Sequence, residues 1–192
     1  MTREELEKSP SLQDELRRMQ NGEPYDAHTP EMRAWRGEVK KLLRRLNITE
    51  YHEPSMADIT RELLPNSAPD VFVEPPFHCD YGNLIFAGEG VFINFGCIIL
   101  DGGGVHIGRK TLIAPGVHIY TAEHPLNADE RDEWEMCRPV RIGECIRGTC
   151  IRGTGNLIRF KPSYDIGHGH LLQQRLPDDV SRPRIMRPPP NV

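Results

Sequence analysis

Between residues 71 and 143 the aliphatic positions recur every six residues, not every two as in a half-buried strand or every three to four as in a helix. Ile107-Gly108-Arg109-Lys110-Thr111-Leu112 runs directly into Ile113-Ala114-Pro115-Gly116-Val117-His118, and then into Ile119. Upstream, Ile93-Asn94-Phe95-Gly96-Cys97-Ile98 leads into Ile99 at the same interval. The phase slips over 86–93 and at Asp101-Gly102-Gly103-Gly104. A six-residue interval describes a triangular coil completed by three hexapeptides, whose aliphatic residue points inward and stacks on its equivalent in the next turn. The small residue that follows sits at the corner, where a bulky side chain would collide with backbone. The pattern therefore predicts a parallel β-helix over 71–143, with Ile93, Ile99, Ile107, Ile113 and Ile119 facing inward and no helix within 84–120.

Ahead of the coils the period is helical. In Arg33 to Leu46, residues Trp35, Val39, Leu42, Leu43 and Leu46 share one face, with basic residues between them on a solvated side. Thr29-Pro30-Glu31 supplies a capping residue and a proline at the first helical position, and Asn47 is a reasonable stop. A second short helix is expected across Ser55 to Leu64, with Ser55 and Asp58 as a capping pair. Two or three helices in all should precede the coils.

Composition narrows the function classes. Seventeen glycines and seventeen prolines in 192 residues exceed ordinary usage, and the corners of a β-helix account for part of that glycine. A net charge of −4 offers no global basic surface for nucleic acid. No apolar run approaches the ~18 residues of a membrane span, and the first residues, MTREELEKSPSLQDELRRM, are too charged for a signal peptide. Five cysteines (Cys79, Cys97, Cys137, Cys145, Cys150) without paired CxxC spacing argue against a zinc ribbon or disulfide scaffold, and for a reducing cytoplasm. His106 and His118 fall in repeat positions and read as packing or surface residues, while His168-Gly169-His170 is too isolated for a metal site.

Several segments are more specific than the period. Val73-Glu74-Pro75-Pro76-Phe77-His78-Cys79-Asp80-Tyr81-Gly82-Asn83 resembles the start of the β-helix in the maltose/galactoside O-acetyltransferases. Asn94-Phe95-Gly96-Cys97-Ile98-Ile99-Leu100-Asp101 is similar to their next coil, and 112–125, ending Thr121-Ala122-Glu123-His124-Pro125, to their most diagnostic segment. Met19-Gln20-Asn21-Gly22-Glu23-Pro24-Tyr25-Asp26 resembles the opening of their helical module. The resemblance covers roughly 12–143 in order. It implies a mainly β fold, a single-stranded left-handed parallel β-helix behind a small helical module. The expected domains are a helical module at 1–70, a truncated β-helix at 71–144, and an atypical, irregular tail at 145–192.

The resemblance also implies a chemistry: acetyl transfer from acetyl-CoA, a co-substrate, to a hydroxyl of a sugar or related small molecule. Such a hydroxyl needs a base to take its proton as it attacks, and histidine has the right pKa. His124, in the Thr-x-x-His-Pro loop, is the implied base; no Ser or Cys lies in a nucleophile motif, which agrees with direct transfer. By the same resemblance Asp26, Asp80, Asn94 and Asp101 line the acceptor site, since carboxylates and amides hold hydroxyls in fixed orientation. Plainer readings stand beside these. Asp101 is a turn residue before three glycines, Asn94 a corner residue stacked between coils, and Asp26 a turn or cap. The family often carries a second acid directly after the position of Asp101, where this chain has Gly102. No metal or nucleic-acid partner is implied, and the family's homotrimers place the active site between subunits, so His124 should lie near a subunit boundary.

The resemblance stops after Arg141-Ile142-Gly143-Glu144. The doubled Ile-Arg-Gly-Thr at 146–149 and 151–154 lacks the aliphatic phase, and the segment 145–192 is basic and poor in aliphatics. Coils that would supply the acetyl-CoA groove are not recognisable there, so the cofactor-binding residues are unassigned. The tail admits three readings: a frameshift or retained intron, a family member that has lost catalysis and acts as a binding subunit, or a basic extension for a partner. Low affinity for acetyl-CoA and poor solubility are expected of a column left open at its end.

Overall fold

The computed structural model of the chain describes residues 3–51, 53–124, 134–145, 147–148 and 152–154. The chain divides into two compact units, 1–162 and 163–192, and every described residue lies in the first.

Four helices precede the coils: α1 (Arg3–Glu7), α2 (Pro10–Asn21), α3 (Pro30–Ile48) and α4 (Pro54–Leu63). The count exceeds expectation because Ser9 caps a new helix, its hydroxyl accepting from Leu12 N, and Pro10 occupies that helix's first turn. The charged N-terminal stretch is thereby cut in two. Thr29 and Pro30 open α3 as the sequence predicts, and Trp35, Val39, Leu42, Leu43 and Leu46 are all buried. Asn47 does not stop this helix. Its side chain instead docks it on the coils, Nδ2 donating to Phe77 O at 2.9 Å and Oδ1 accepting from Phe77 N at 2.9 Å. In α4 the cap is Glu53, not Ser55, because Pro54 starts the helix earlier; the Ser55 hydroxyl donates to the Glu53 carboxylate at 3.0 Å.

The coils use short strands: β1 (Phe72–Val73), β2 (Phe77–Cys79), β3 (Ile85–Ala87), β4 (Phe92–Ile93), β5 (Cys97–Leu100), β6 (Val105–Ile107), β7 (Leu112–Ile113), β8 (His118–Tyr120), β9 (Ala122–Glu123), β10 (Met136–Cys137), β11 (Val140–Ile142), β12 (Arg147–Gly148) and β13 (Arg152–Thr154). They form three parallel sheets, ordered β1-β4-β7-β12, β2-β5-β8-β13 and β3-β6-β11, with β9 and β10 paired antiparallel apart from them. The three sheets are the faces of a triangular β-helix. Register builds its inner column: Val73, Ile93 and Ile113 stack on one face, Cys79, Ile99 and Ile119 on the second, and Ala87, Ile107 and Ile142 on the third. All five predicted isoleucines point inward, none more than 2% exposed. Full burial of each is worth about 1.5–3 kcal/mol.

Pairing does not stop where the aliphatic phase does. β12 pairs with β7 and β13 with β8, so parallel pairing on two faces extends to 147–148 and 152–154. Glycines now stand in the inward registers, Gly148 opposite Ile113 and Gly153 opposite Ile119. They are five residues apart where the isoleucines are six. Free backbone N–H and C=O groups on the third coil suffice to pair a strand, but glycine adds no apolar area to the column. The rest of the expected tail, 155–192, lies outside the described residues.

Candidate active site

The polar corner of the triangle follows β2, β5 and β8. The chain crosses it in five residues after β2 (80–84), in four after β5 (101–104), and in nineteen after β8 (121–139). In the third coil the chain therefore leaves the helix at this corner and returns. Thr121, fully buried, marks the departure: its hydroxyl donates to Leu100 O at 2.6 Å and accepts from Gly103 N at 2.8 Å. β9 and β10 then pair antiparallel, Ala122 opposite Cys137 and Glu123 opposite Met136, and Arg138 Nε meets Glu123 Oε2 at 2.8 Å. His124 stands exposed directly beyond this paired base. Pro125, the last residue of its motif, lies outside the described residues.

Asp101 lies beneath the corner, with 0% exposure. Oδ1 accepts from Asp80 N at 3.0 Å and from Tyr81 N at 2.9 Å, fixing the turn that leaves β2. Oδ2 is buried with no hydrogen-bond partner among the described residues. Burial raises the pKa to about 6 against the opposing pull of the backbone N–H groups. In this structure the wholly buried carboxylate holds the turn. Asp80, on that turn, is half-buried and reaches the corner; burial raises its pKa, with Lys40 and Arg36 acting in the other direction.

Gly102 follows from the same packing. A Cβ there would stand 2.7 Å from Cys137 Sγ and 2.8 Å from Met19 Cε, so the space a second acid would need is filled by a thiol and a thioether.

The helical module reaches this corner through Tyr25. Its N–H donates to Glu135 O at 3.1 Å, and its hydroxyl donates to Glu135 Oε2 at 2.8 Å. This part-buried clamp ties the module to the returning arm at Glu135. Asp26 comes next and is exposed; its Oδ1 accepts from His28 N at 2.7 Å, a local turn bond. Asp80 and Asp101 stand at the corner after β2 and β5, His124 follows β9 on the departure from that corner, and Asp26 follows Tyr25, which meets the returning arm at Glu135. Asn94 lies elsewhere. It follows β4, at the corner between the first and second faces, where its Oδ1 accepts from Phe95 N at 2.8 Å and its N–H donates to Ile113 O at 3.1 Å.

Reading the sequence missed Tyr25, Thr121, Glu135 and Cys137. Thr121 was inside the recognised motif, and its hydroxyl beside a glycine run was the one available signal. Glu135 carried none, since its partner is 110 residues away. Among the described residues no group of three or more His, Cys, Asp and Glu side chains is arranged to hold a metal ion.

Comparison with known proteins agrees with this architecture. The maltose acetyltransferase hexapeptide capping motif matches residues 18–67. Nodulation protein L of Rhizobium meliloti is 40% identical over 129 residues, 66% of this chain and 70% of that protein. A maltose O-acetyltransferase from Clostridium difficile superimposes with a TM-score of 0.64 at 38% identity, covering 68% of this chain and 71% of the other. The hexapeptide-repeat acetyltransferase VCA0836 of Vibrio cholerae, solved with acetyl coenzyme A, gives 0.57 at 33% identity, covering 67% and 74%.

Proposed function

The chain belongs to the maltose/galactoside O-acetyltransferase family, and from that membership we propose that it transfers an acetyl group from acetyl-CoA to a hydroxyl of a sugar or related small molecule. The observation that carries this reading is the departure of the third coil at the polar corner, where Thr121 leads into the paired β9 and β10 and His124 follows β9 as an exposed side chain. His124 takes the proton of the acceptor hydroxyl as its oxygen attacks the thioester carbonyl. The C–S bond breaks, the new ester C–O bond remains, and the proton passes to the departing thiolate of coenzyme A. Asp26 and Asp80 orient the acceptor, and Asp101 acts from below by fixing the turn that carries Asp80.

Asn94 enters the site from a neighbouring copy. Its corner also carries the exposed Phe95, 49% accessible, and the adjacent face carries Leu112 at 38%, an apolar surface suited to contact between subunits in a homotrimer. The coils are read as left-handed, as the family implies. Cys79, Cys97, Cys137 and Cys145 are all free thiols, which supports a reducing cytoplasmic setting. Among the described residues no helix is long and apolar enough to cross a membrane.

The test is coenzyme A release from acetyl-CoA with a panel of sugars, on the natural chain and on His124→Ala. Acceptor-dependent release abolished in the variant supports the enzyme. A second reading, a binding subunit without catalysis, is favoured by one observation: the fourth coil carries glycine in both inward registers. No heat on titration with coenzyme A would select it.

A further inference from the structure

A cleft of about 400 Å³ lies between α2 and the far end of the turn that begins at Asp80. Its volume falls in the ~300–1,000 Å³ range of small-molecule sites. On one side Gln13 and Gln20 project from a single face of α2, next to Asn21; on the other stand Asn66, Asn83 and the ring of Phe86.

The hydrogen bonds within the walls decide what the cleft can hold. Gln13 donates its amide N–H to Glu7 O at 2.8 Å, and Gln20 donates to Leu16 O at 3.2 Å. Asn21 donates to Glu23 Oε1 at 3.0 Å, and Asn66 to Asn83 O at 2.7 Å. Four carboxamides thus each spend one of their two N–H donors on the protein, while the second N–H and the carbonyl oxygen meet no described residue. Asn83 also lines the cleft, but its Oδ1 is buried and is not counted among the acceptors a ligand would meet. Arg17, also in the wall, is committed to Asp14 at 2.9 Å and Glu23 at 3.4 Å, so it offers an anionic ligand little. Phe86 adds an aromatic ring to the lining and is held by stacking on His106, ring centroids 4.6 Å apart and planes 9° apart. Neutral carboxamides, each with a carbonyl acceptor and a remaining N–H donor, beside an aromatic ring match a neutral ligand whose hydroxyls both donate and accept and which has a C–H face, a saccharide unit.

The cleft adjoins the polar corner. The turn 80–84 starts at Asp80 and ends at Leu84 in the cleft wall. Asn21 precedes Gly22, whose Cβ position would be 3.4 Å from Cys137 O at the base of the His124 loop. We infer that this cleft is a second saccharide subsite, which holds one unit of an oligosaccharide acceptor while another unit stands at the His124 corner. The inference deepens the proposed sugar acetyl transfer and rests on it for the second half of that statement only.

The experiment is amide-resolved NMR titration of the whole chain with maltotetraose, chitotetraose and glucose, without acetyl-CoA. A tetrasaccharide is expected to shift the signals of Gln20, Asn21, Asn83 and Phe86, and glucose to shift them far less. Gln13→Ala/Gln20→Ala, both at exposed positions, should weaken tetrasaccharide binding about tenfold, two lost hydrogen bonds' worth. His124→Ala should leave that binding intact. Absence of shifts with both tetrasaccharides, or shifts unaltered by the double variant, overturns the subsite even if acetyl transfer to a monosaccharide is found. Binding that follows this pattern in a chain without transferase activity supports the cleft as a saccharide site and rejects the catalytic reading alone.

Discussion

The corner after β3, β6 and β11 and the corner after β2, β5 and β8 repeat along the same column, yet they are made of different material. The first is a ladder of glycines, Gly88, Gly108 and Gly143, each following a buried Ala87, Ile107 or Ile142. Backbone from successive coils approaches so closely there that a Cβ on Gly108 would stand 2.6 Å from the carbonyl of Gly143 and 2.6 Å from the N–H of Glu144. The second is held by polar side chains, Asp101 and Thr121, bonded to backbone groups of neighbouring coils, the N–H of Asp80 among them. A corner closed by backbone contact leaves room for nothing else. A corner closed by side-chain hydrogen bonds can let the chain depart after Thr121 and return at Arg138, and it is there that the candidate chemistry sits.

Breaking the chemistry without touching either ladder should give the largest effect. His124→Ala is expected to lower acetyl transfer by about 10²- to 10⁴-fold, the usual worth of a general base. Because the residue is exposed, the melting temperature should stay unchanged, and steady-state rates with a calorimetric scan check both halves.

Breaking the polar ladder comes next. Asp101→Ala leaves the N–H groups of Asp80 and Tyr81 without their acceptor, a loss of about 1–3 kcal/mol for each buried group, to be read from a urea midpoint. The native carboxylate also makes stability depend on pH. Its folded pKa, about 6, is raised above the ordinary 3.8, so the stabilisation present below pH 3.8 is lost as pH rises through 6. The decline is on the order of 3 kcal/mol. Asp101→Asn keeps an oxygen acceptor and removes the titration, so its stability should be nearly flat across the same window.

The glycine ladder is the sharper test of the comparison itself. Gly108→Ala forces a methyl group into backbone and should cost about 1–3 kcal/mol, seen in thermal melts, with no change in the pH dependence of stability. A cost equal to that of a surface substitution would mean that the coils part easily at this corner. The smallest effect is expected at the clamp between the helical module and the loop. Tyr25→Phe removes one hydroxyl from Glu135 Oε2 and should cost about 1 kcal/mol.

How much of this was legible beforehand differs from residue to residue. Ile93, Ile99, Ile107, Ile113 and Ile119 announced their orientation through spacing alone, and Thr29-Pro30 announced the start of α3. His124 was legible through its motif. Asp101 was visible as a residue, but its burial and its bonds to Asp80 N and Tyr81 N were not, because those partners lie in the preceding coil. Asn47 looked like a stop because its amide can compete for the local backbone, and it found Phe77 instead. Gly148 and Gly153 broke the aliphatic pattern, and their pairing could not be foreseen from side chains that are absent.

By itself the sequence determined the coil: its period, its inward isoleucines, its glycine corner and the helices ahead of it. Period states which side of the backbone each side chain takes, and that is settled among near neighbours in the chain. Only the tertiary structure decided that Asp101 lies under the corner, that Asn94 stands at a different corner from His124, and that Tyr25 clamps Glu135. Those outcomes depend on solvent exclusion and hydrogen-bond partners supplied by residues about twenty positions away in the next coil, or 110 away across the module boundary. Stacking alone brings such residues together.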